Sequence, residues 1–101
     1  MLIELITVKM YKSRGDYIVA ACDKALLGKV FYEGDFKLEV LPSFYEGEDA
    51  DAETLLNRLN MATIANLVGE ITCQVAADAG LVEMDGIMRI DGIPHAQVVR
   101  C

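Results

Sequence analysis

The segment from Ala52 to Ala79 constrains the fold most, because it is the longest stretch of the chain in which apolar residues recur at helical spacing. Placed at about 100° per residue, its apolar side chains form two stripes, and the part between Met61 and Val68 is apolar almost all round. A helix of that kind is buried on more than one side. The spacing therefore predicts that Asn66 carries a buried amide that needs a hydrogen-bonding partner.

A single helix over this segment would be about 42 Å long, whereas a domain of this size has a radius of gyration of about 13 Å. We therefore expect a break, and Gly69 suits it best because glycine adopts the left-handed backbone conformation that ends helices. Glu70 then begins a second helix, where its charge suits the exposed amide groups. A continuous helix with a close helix contact at Gly69 stays open as the alternative.

The remaining chain reads as strands and turns. Two apolar runs, Leu2 to Tyr11 and Tyr17 to Cys22, surround the turn KSRGD, and KVFY and FKLEVL surround EGD, so two β-hairpins are predicted. Residues 43–51 are expected to form a loop, and two short strands are expected around the Asp91-Gly92 turn. Strands before and after a helical block predict an α+β domain: a two-layer sandwich, mostly antiparallel sheet with helices packed on one face.

Three local signals mark the ends of helices. Asp23 is expected to cap a short helical turn directly after it, and Asp51 to cap the long helical segment. Gly80 is placed as the glycine that ends the helical region, with Leu81 packing back.

The bulk composition predicts a single domain over residues 1–101. Because 53% of the residues are hydrophobic and the mean hydropathy is +0.30, we expect a homodimer in which a second copy covers part of the apolar surface. No apolar run reaches the roughly 18 residues of a membrane span, and the first residues lack the pattern of a signal peptide. Three cysteines without a CxxC indicate reduced thiols in the cytoplasm.

The net charge of −7 is unevenly distributed along the chain. Residues 1–45 hold six basic and six acidic side chains, whereas residues 46–101 hold three basic and ten acidic ones. This argues against phosphate binding across the whole molecule, which needs clustered Lys and Arg. A local basic patch remains at the tip of the first hairpin, where Lys9, Lys12 and Arg14 are candidate RNA contacts.

His95 and Cys22 are the residues with the most reactive side chains. His95, the single histidine, is either a general base or a hydrogen-bonded histidine at a strand start. Cys22 precedes a capped turn, which lowers a thiol pKa and would favour a nucleophile with His95 as its base. Because Cys22 ends an apolar strand, the pattern favours a small buried core residue over the nucleophile. Neither a metal site nor a cofactor is predicted, because three cysteines and one histidine at this spacing fit no compact zinc module.

The amide of Asn66 and the carboxylate of Glu70 fall within one turn of the predicted helix, so they can face the same site. Two interpretations follow. Either these groups hold a polar ligand or the turn that contains His95, or Asn66 ties its helix to a neighbouring backbone loop.

Five short motifs together resemble those of an uncharacterised archaeal family, domain-of-unknown-function family 424. They are Cys22-Asp23, Leu27-Gly28-Lys29, Phe44-Tyr45, ATIANLVGE over residues 62–70 and GIPHAQVV over residues 92–99. The resemblance covers nearly the whole chain. It implies a small archaeal cytoplasmic protein with a two-layer α/β sandwich and a loose connection to RNA or translation, and it brings no activity, cofactor or catalytic residue.

The leading hypothesis is a non-enzymatic binding or interaction module for RNA, the translation machinery or a protein partner, using the hairpin tip and the DGIPHAQ turn. The alternative is a small-ligand-binding protein or an enzyme with a pocket around Asn66, Glu70 and His95. The residues of the candidate functional cluster are Asn66, Gly69, Glu70, His95, Gln97, Cys22 and Asp23. Whether their side chains converge in one concave site separates the two hypotheses.

Overall fold

The computed structural model describes residues 4–100, which form strands and helices in mixed order. The elements are β1 (Ile6–Ser13), β2 (Asp16–Asp23), β3 (Val30–Glu33), β4 (Phe36–Glu39), α1 (Pro42–Tyr45), β5 (Glu48–Ala50), α2 (Ala52–Met61), β6 (Ile64–Val68), α3 (Glu70–Asp78), β7 (Met88–Ile90) and β8 (Ile93–Val99). Both predicted hairpins and the strand pair around Asp91-Gly92 are confirmed. The predicted strand residues 2 and 3 lie outside the described residues.

Within residues 4–100, six strands form one sheet in the order β5-β1-β2-β6-β8-β7. The neighbours are antiparallel except for the central pair of β2 and β6, which is parallel. Helices α2 and α3 pack on one face of this sheet, where Leu55, Leu59 and Cys73 meet strand residues such as Val8 and Leu67. The predicted α+β class, with a mostly antiparallel sheet and helices on one face, is confirmed.

The opposite face of the sheet is covered in part by the β3–β4 hairpin and α1, which bury Leu38, Val40 and Tyr45 against Cys22 and Val68. The prediction of a loop over residues 43–51 is wrong. The first part of this range is α1, and β5 follows as an edge strand beside β1. The sequence of this strand does not show the alternation of apolar and polar residues by which strands are predicted, because only one of its three residues is buried.

The central stretch consists of three elements, α2, β6 and α3, so the prediction of two helices meeting near Gly69 is wrong. The first helix does begin as predicted, since the Asp51 carboxylate accepts a hydrogen bond from Thr54 N at 2.9 Å. It ends at Met61, however, and Asn66 lies in β6. The reason is that β6 is a central strand between β2 and β8, and an apolar run of that length is as typical of a central strand as of a buried helix.

Gly69 is the point at which the chain leaves the sheet and enters α3. Its N–H donates to Pro94 O in β8 at 3.0 Å, and its carbonyl accepts from Cys73 N at 3.0 Å, the first hydrogen bond of the helix. Pro94 has no N–H to compete for that carbonyl. With φ at +108°, the residue adopts a conformation that favours glycine.

Asp23 does not cap the turn that follows it, as the sequence predicted, but the helix that begins 47 residues later. The 3-10 turn Lys24–Leu26 has no side-chain cap. The Asp23 carboxylate instead accepts hydrogen bonds from Ile71 N at 3.1 Å and from both Thr72 N and Thr72 Oγ1 at 2.8 Å. The parallel pairing of β2 with β6 brings the two ends together, which no short-range capping rule can detect.

We predict that Gly69→Ala lowers the free energy of unfolding by about 2–4 kcal/mol, because the change combines an unfavourable φ with a steric clash. A Cβ at this position would lie 2.3 Å from Cγ and 2.5 Å from each carboxylate oxygen of Asp23. The measurement is urea unfolding of the variant and the wild type.

Gly80→Ala is the matched control, because Gly80 ends α3 with φ at +78° and a Cβ there meets nothing within 4 Å. This control should lose only about 1 kcal/mol. Equal losses in the two variants would contradict the proposed close contact between Gly69 and Asp23.

Candidate functional site

Asn66 pairs with Gln97 across the β6–β8 ladder. The hydrogen bonds from Gly69 N to Pro94 O and from Arg100 N to Thr63 O set the phase of this ladder, so Asn66 and Gln97 form one of its non-hydrogen-bonded pairs, in which side chains are closest. Gln97 Nε2 donates to Asn66 Oδ1 at 3.0 Å. The partner of Asn66 is thus another side chain, on the sheet face that the β3–β4 hairpin and α1 cover only in part. The expected hydrogen bond from Asn66 to a backbone loop is therefore wrong.

Glu70 and the DGIPHAQ turn are held by ionic and hydrogen-bonding contacts. The Arg89 guanidinium pairs with the Glu70 carboxylate and also donates to Gly92 O at 3.0 Å. This hydrogen bond from Arg89 lowers the pKa of Glu70. On the other side of the turn, Asp91 N donates to Glu33 Oε1 in the β3–β4 hairpin at 2.8 Å. Glu70 therefore ties the start of α3 to the β7–β8 turn.

Cys22 lies fully buried on the sheet face that the β3–β4 hairpin covers. Burial, together with the nearby charge of Asp23, raises the pKa of Cys22 to about 12. It shares a row with Val68 and His95, and two strand spacings of about 4.8 Å separate it from His95. A protonated thiol at that distance from the imidazole is a core residue, and this geometry gives no support to a Cys22 nucleophile.

His95 lies half-buried in β8, opposite Met88 of β7. Burial lowers the pKa of His95 below its ordinary value, because it disfavours the charged ring. A cleft of about 250 Å³ adjoins it, lined by Val82, Glu83, Gly86, Ile87, Met88, His95, Ala96 and Gln97. Of the predicted cluster, only His95 and Gln97 line this cleft.

The structure separates the three predicted RNA contacts. Side chains alternate along a strand, so Lys9 and Lys12 lie on opposite faces of β1. Lys9 Nζ donates to Ser43 O at 2.8 Å, whereas Lys12 Nζ lies 5.5 Å from the ring centroid of Tyr17, its partner in the β1–β2 register. Arg14 lies exposed in the turn with φ at +51°.

We use the name hairpin tip for Lys12, Arg14 and Tyr17. Sequence reasoning missed Tyr17, although the KSRGD turn contained the necessary signal. A turn centred on Arg14 and Gly15 sets Lys12 opposite Tyr17, so the residue could have been found by writing out the hairpin register.

Two further observations bear on chemistry. Among residues 4–100, no three or more His, Cys, Asp or Glu side chains are grouped so that they could hold a metal ion. No helix in this part of the chain is both long and apolar enough to cross a membrane.

We predict that the imidazole of His95 titrates below pH 6.5, because burial disfavours its charged form. The unfolded chain then binds more protons between the folded-state pKa and 6.5, so the contribution of His95 to the free energy of unfolding is fully present above pH 6.5 and is lost as the pH drops through this window. Since His95 is the single histidine, its ring protons give the pKa directly in an NMR titration. A His95→Gln variant should lack this part of the pH dependence, and a pKa at or above 6.5 would contradict the burial.

Comparison with known proteins gives the family and the fold. A family model described as a protein of unknown function (DUF424) matches residues 11–101. The chain is similar to the crystal structure of an uncharacterized conserved protein from Methanopyrus kandleri, with a TM-score of 0.78 and 24% sequence identity over 95% of this chain and 93% of that chain. At this identity the likeness concerns the fold alone. No curated protein matches the chain. The family resemblance of the sequence motifs is thereby confirmed, and the chain belongs to the family of proteins of unknown function DUF424.

Proposed function

We propose that this protein is a non-enzymatic binding module that holds single-stranded RNA at the hairpin tip. The observation that carries the proposal is the position of the Lys12 ammonium 5.5 Å from the centroid of the Tyr17 ring, with Arg14 exposed in the turn that joins their strands. Tyr17 is 43% exposed, and an exposed aromatic ring flanked by cations is the arrangement on which an unpaired base stacks while phosphates are neutralised.

The two cations of the hairpin tip are available for phosphate contacts. Within residues 4–100, the ion pairs involve the basic residues Lys24, Lys37, Arg58 and Arg89 and neither cation of the tip. Asp16, the acidic residue nearest to the tip along the chain, has its Oδ1 bonded by the Thr63 hydroxyl at 3.0 Å. Charges left without an ionic partner are those that gain most from a phosphate backbone.

Apart from Asp16, the acidic residues of the neighbouring edge strand lie away from this site. The exposed Glu48 and Asp49 belong to β5, which pairs with the beginning of β1, whereas the tip lies at the other end of that strand. Glu48 and Asp49 lie opposite Val8 and Thr7, four and five residues before Lys12, so about 14–17 Å of strand at about 3.4 Å per residue separates them from the tip. This distance is about two Debye lengths at physiological ionic strength.

The contacts of the remaining candidate residues favour binding over catalysis. Asn66 is bonded to Gln97, Glu70 is paired with Arg89, and the Asp23 carboxylate caps α3. An enzyme site around Asn66, Glu70 and His95 would need these groups free to meet a substrate. We further propose a cytoplasmic location, which the free, buried thiols of Cys22 and Cys73 support.

We predict that the protein binds a fluorescein-labelled oligouridylate of about 12 nucleotides, with an affinity that falls about sevenfold between about 50 and about 200 mM salt if two phosphates are contacted. Tyr17→Ala should weaken binding by at least about fivefold, because stacking of a base on an aromatic ring contributes about 1–3 kcal/mol. Fluorescence anisotropy measures both effects.

Tyr32→Ala is the matched control for this experiment. Tyr32 is 63% exposed and lies opposite Lys37 in the β3–β4 hairpin, so the variant removes a tyrosine that is more exposed than Tyr17 and also lies opposite a lysine. It should bind as the wild type does. Equal affinities of the Tyr17→Ala and wild-type proteins, or binding that does not respond to salt, would contradict the proposal.

A further inference from the structure

The two edges of the six-stranded sheet differ in how they are protected. At one edge, β5 is three residues long and presents the exposed Glu48 and Asp49, which pair with Arg58 and Lys24. Short strands and charged side chains are the usual protection of an edge against pairing with another chain. At the other edge, β7 pairs only with residues 93–95 of β8. In the part of the chain that the structure describes, residues 96–99 of β8 have no strand beside them.

The main chain of β8 is oriented so that this uncovered edge carries unused hydrogen-bonding groups. The bonds from Gly69 N to Pro94 O and from Arg100 N to Thr63 O show that even-numbered residues of β8 bond to β6. In an antiparallel ladder the alternate residues point the other way. The N–H and C=O groups of Gln97 and Val99 therefore project outward from the sheet.

The side chains along this uncovered edge are uncharged. Residues 96–99 are Ala-Gln-Val-Val. Val99 lies on the sheet face that the β3–β4 hairpin covers only in part, and it is 68% exposed. An apolar edge without lysine, proline or a bulge pairs readily with another strand unless something covers it.

We propose that β8 of a second copy covers this edge, so that two sheets join into one through an antiparallel β8–β8 pair. Identical antiparallel strands are self-complementary about a two-fold axis. Because His95 already pairs with Met88, only the residues after it can take part. Placing the axis at Val98 sets Gln97 of each copy opposite Val99 of the other, and both residues point their main-chain groups at the partner strand.

Charge complementarity selects a second copy of this chain as the occupant. In this register Ala96 lies opposite Arg100 of the second copy. Ala96 lines the 250 Å³ cleft together with Glu83, so the guanidinium of the second copy enters the cleft beside a carboxylate. The two-fold axis forms this opposite-charge pair twice, once in each direction. The two pairs together favour this register of the strands and a second copy of the chain as the partner.

This dimer goes beyond the proposed RNA site and does not depend on it. The hairpin tip is formed by β1 and β2, and β6 separates β2 from β8 in the sheet. The strands of the tip therefore take no part in the β8–β8 pair.

The first test is the mass of the purified protein by light scattering at concentrations up to about 100 µM. The expected mass is about 22 kDa, twice the 11.1 kDa of the chain. Val99→Lys, at a side chain that is mostly exposed within one copy, should weaken dimerisation at least about tenfold. The matched control is Phe36→Lys in the β3–β4 hairpin, where a 56% exposed apolar side chain is replaced away from the edge; it should dimerise normally.

The second test is a charge swap across the interface. Glu83→Arg and Arg100→Glu should each weaken the dimer, and the double variant should recover dimerisation to within about threefold of the wild type, because the opposite-charge pair is restored in reverse. Amide hydrogen exchange at Gln97 and Val99 should slow when the wild-type dimer forms.

Three results would overturn the inference. The first is a wild-type protein that stays monomeric across this concentration range, and the second is a dimer that Val99→Lys leaves intact. The third is amide hydrogen exchange at Gln97 and Val99 that is as fast in the dimer as in the monomer. A wild-type monomer that binds the oligouridylate would contradict the dimer and support the RNA site. A dimer that does not bind the oligouridylate would support the dimer and contradict the RNA site.

Discussion

The carboxylate of Asp23 at the N-terminus of α3 is the interaction on which the rest of the structure depends. It joins three elements at once, because it ends β2, lies beside Gly69 at the end of β6 and accepts hydrogen bonds from Ile71 and Thr72 of α3. The N-cap position of α3 is Gly69, which has no side chain to do this, so the cap comes from a neighbouring strand. The glycine and the aspartate therefore require each other: any side chain at position 69 would occupy the space of the carboxylate.

This junction explains why several residues that looked functional are structural. Asp23, Gly69 and Pro94 belong to the motifs that carry the family resemblance, and all three meet where β6 turns into α3. A carboxylate already occupies the helix N-terminus, which in other proteins is open to phosphate groups. The polar interactions at this junction thus serve the architecture of the fold, and the two surfaces on which we propose binding lie elsewhere, at the hairpin tip and along β8.

Several elements of the fold can be predicted from local signals in the sequence. Hairpin turns, the Asp51 cap and the Asp91-Gly92 turn all depend on residues within a few positions of each other, and each is found where expected. Strand β6 was missed because a strand with neighbours on both sides has the same unbroken apolar run as a buried helix. The cap by Asp23 was missed because its partners lie 48 and 49 residues away. The candidate site shows the same limit, since Lys12 and Arg14 are visible in the sequence but their relation to Tyr17 and Lys9 depends on register.

The most direct test of this account is a double-mutant cycle between Asp23→Ala and Thr72→Val, followed by urea unfolding. The Thr72 hydroxyl donates to the Asp23 carboxylate at 2.8 Å in a buried site, so each single variant should be destabilised, and the two effects should couple by about 1–2 kcal/mol. Additive effects, with a coupling energy near zero, would contradict the claim that this carboxylate fixes α3 to the parallel strand pair.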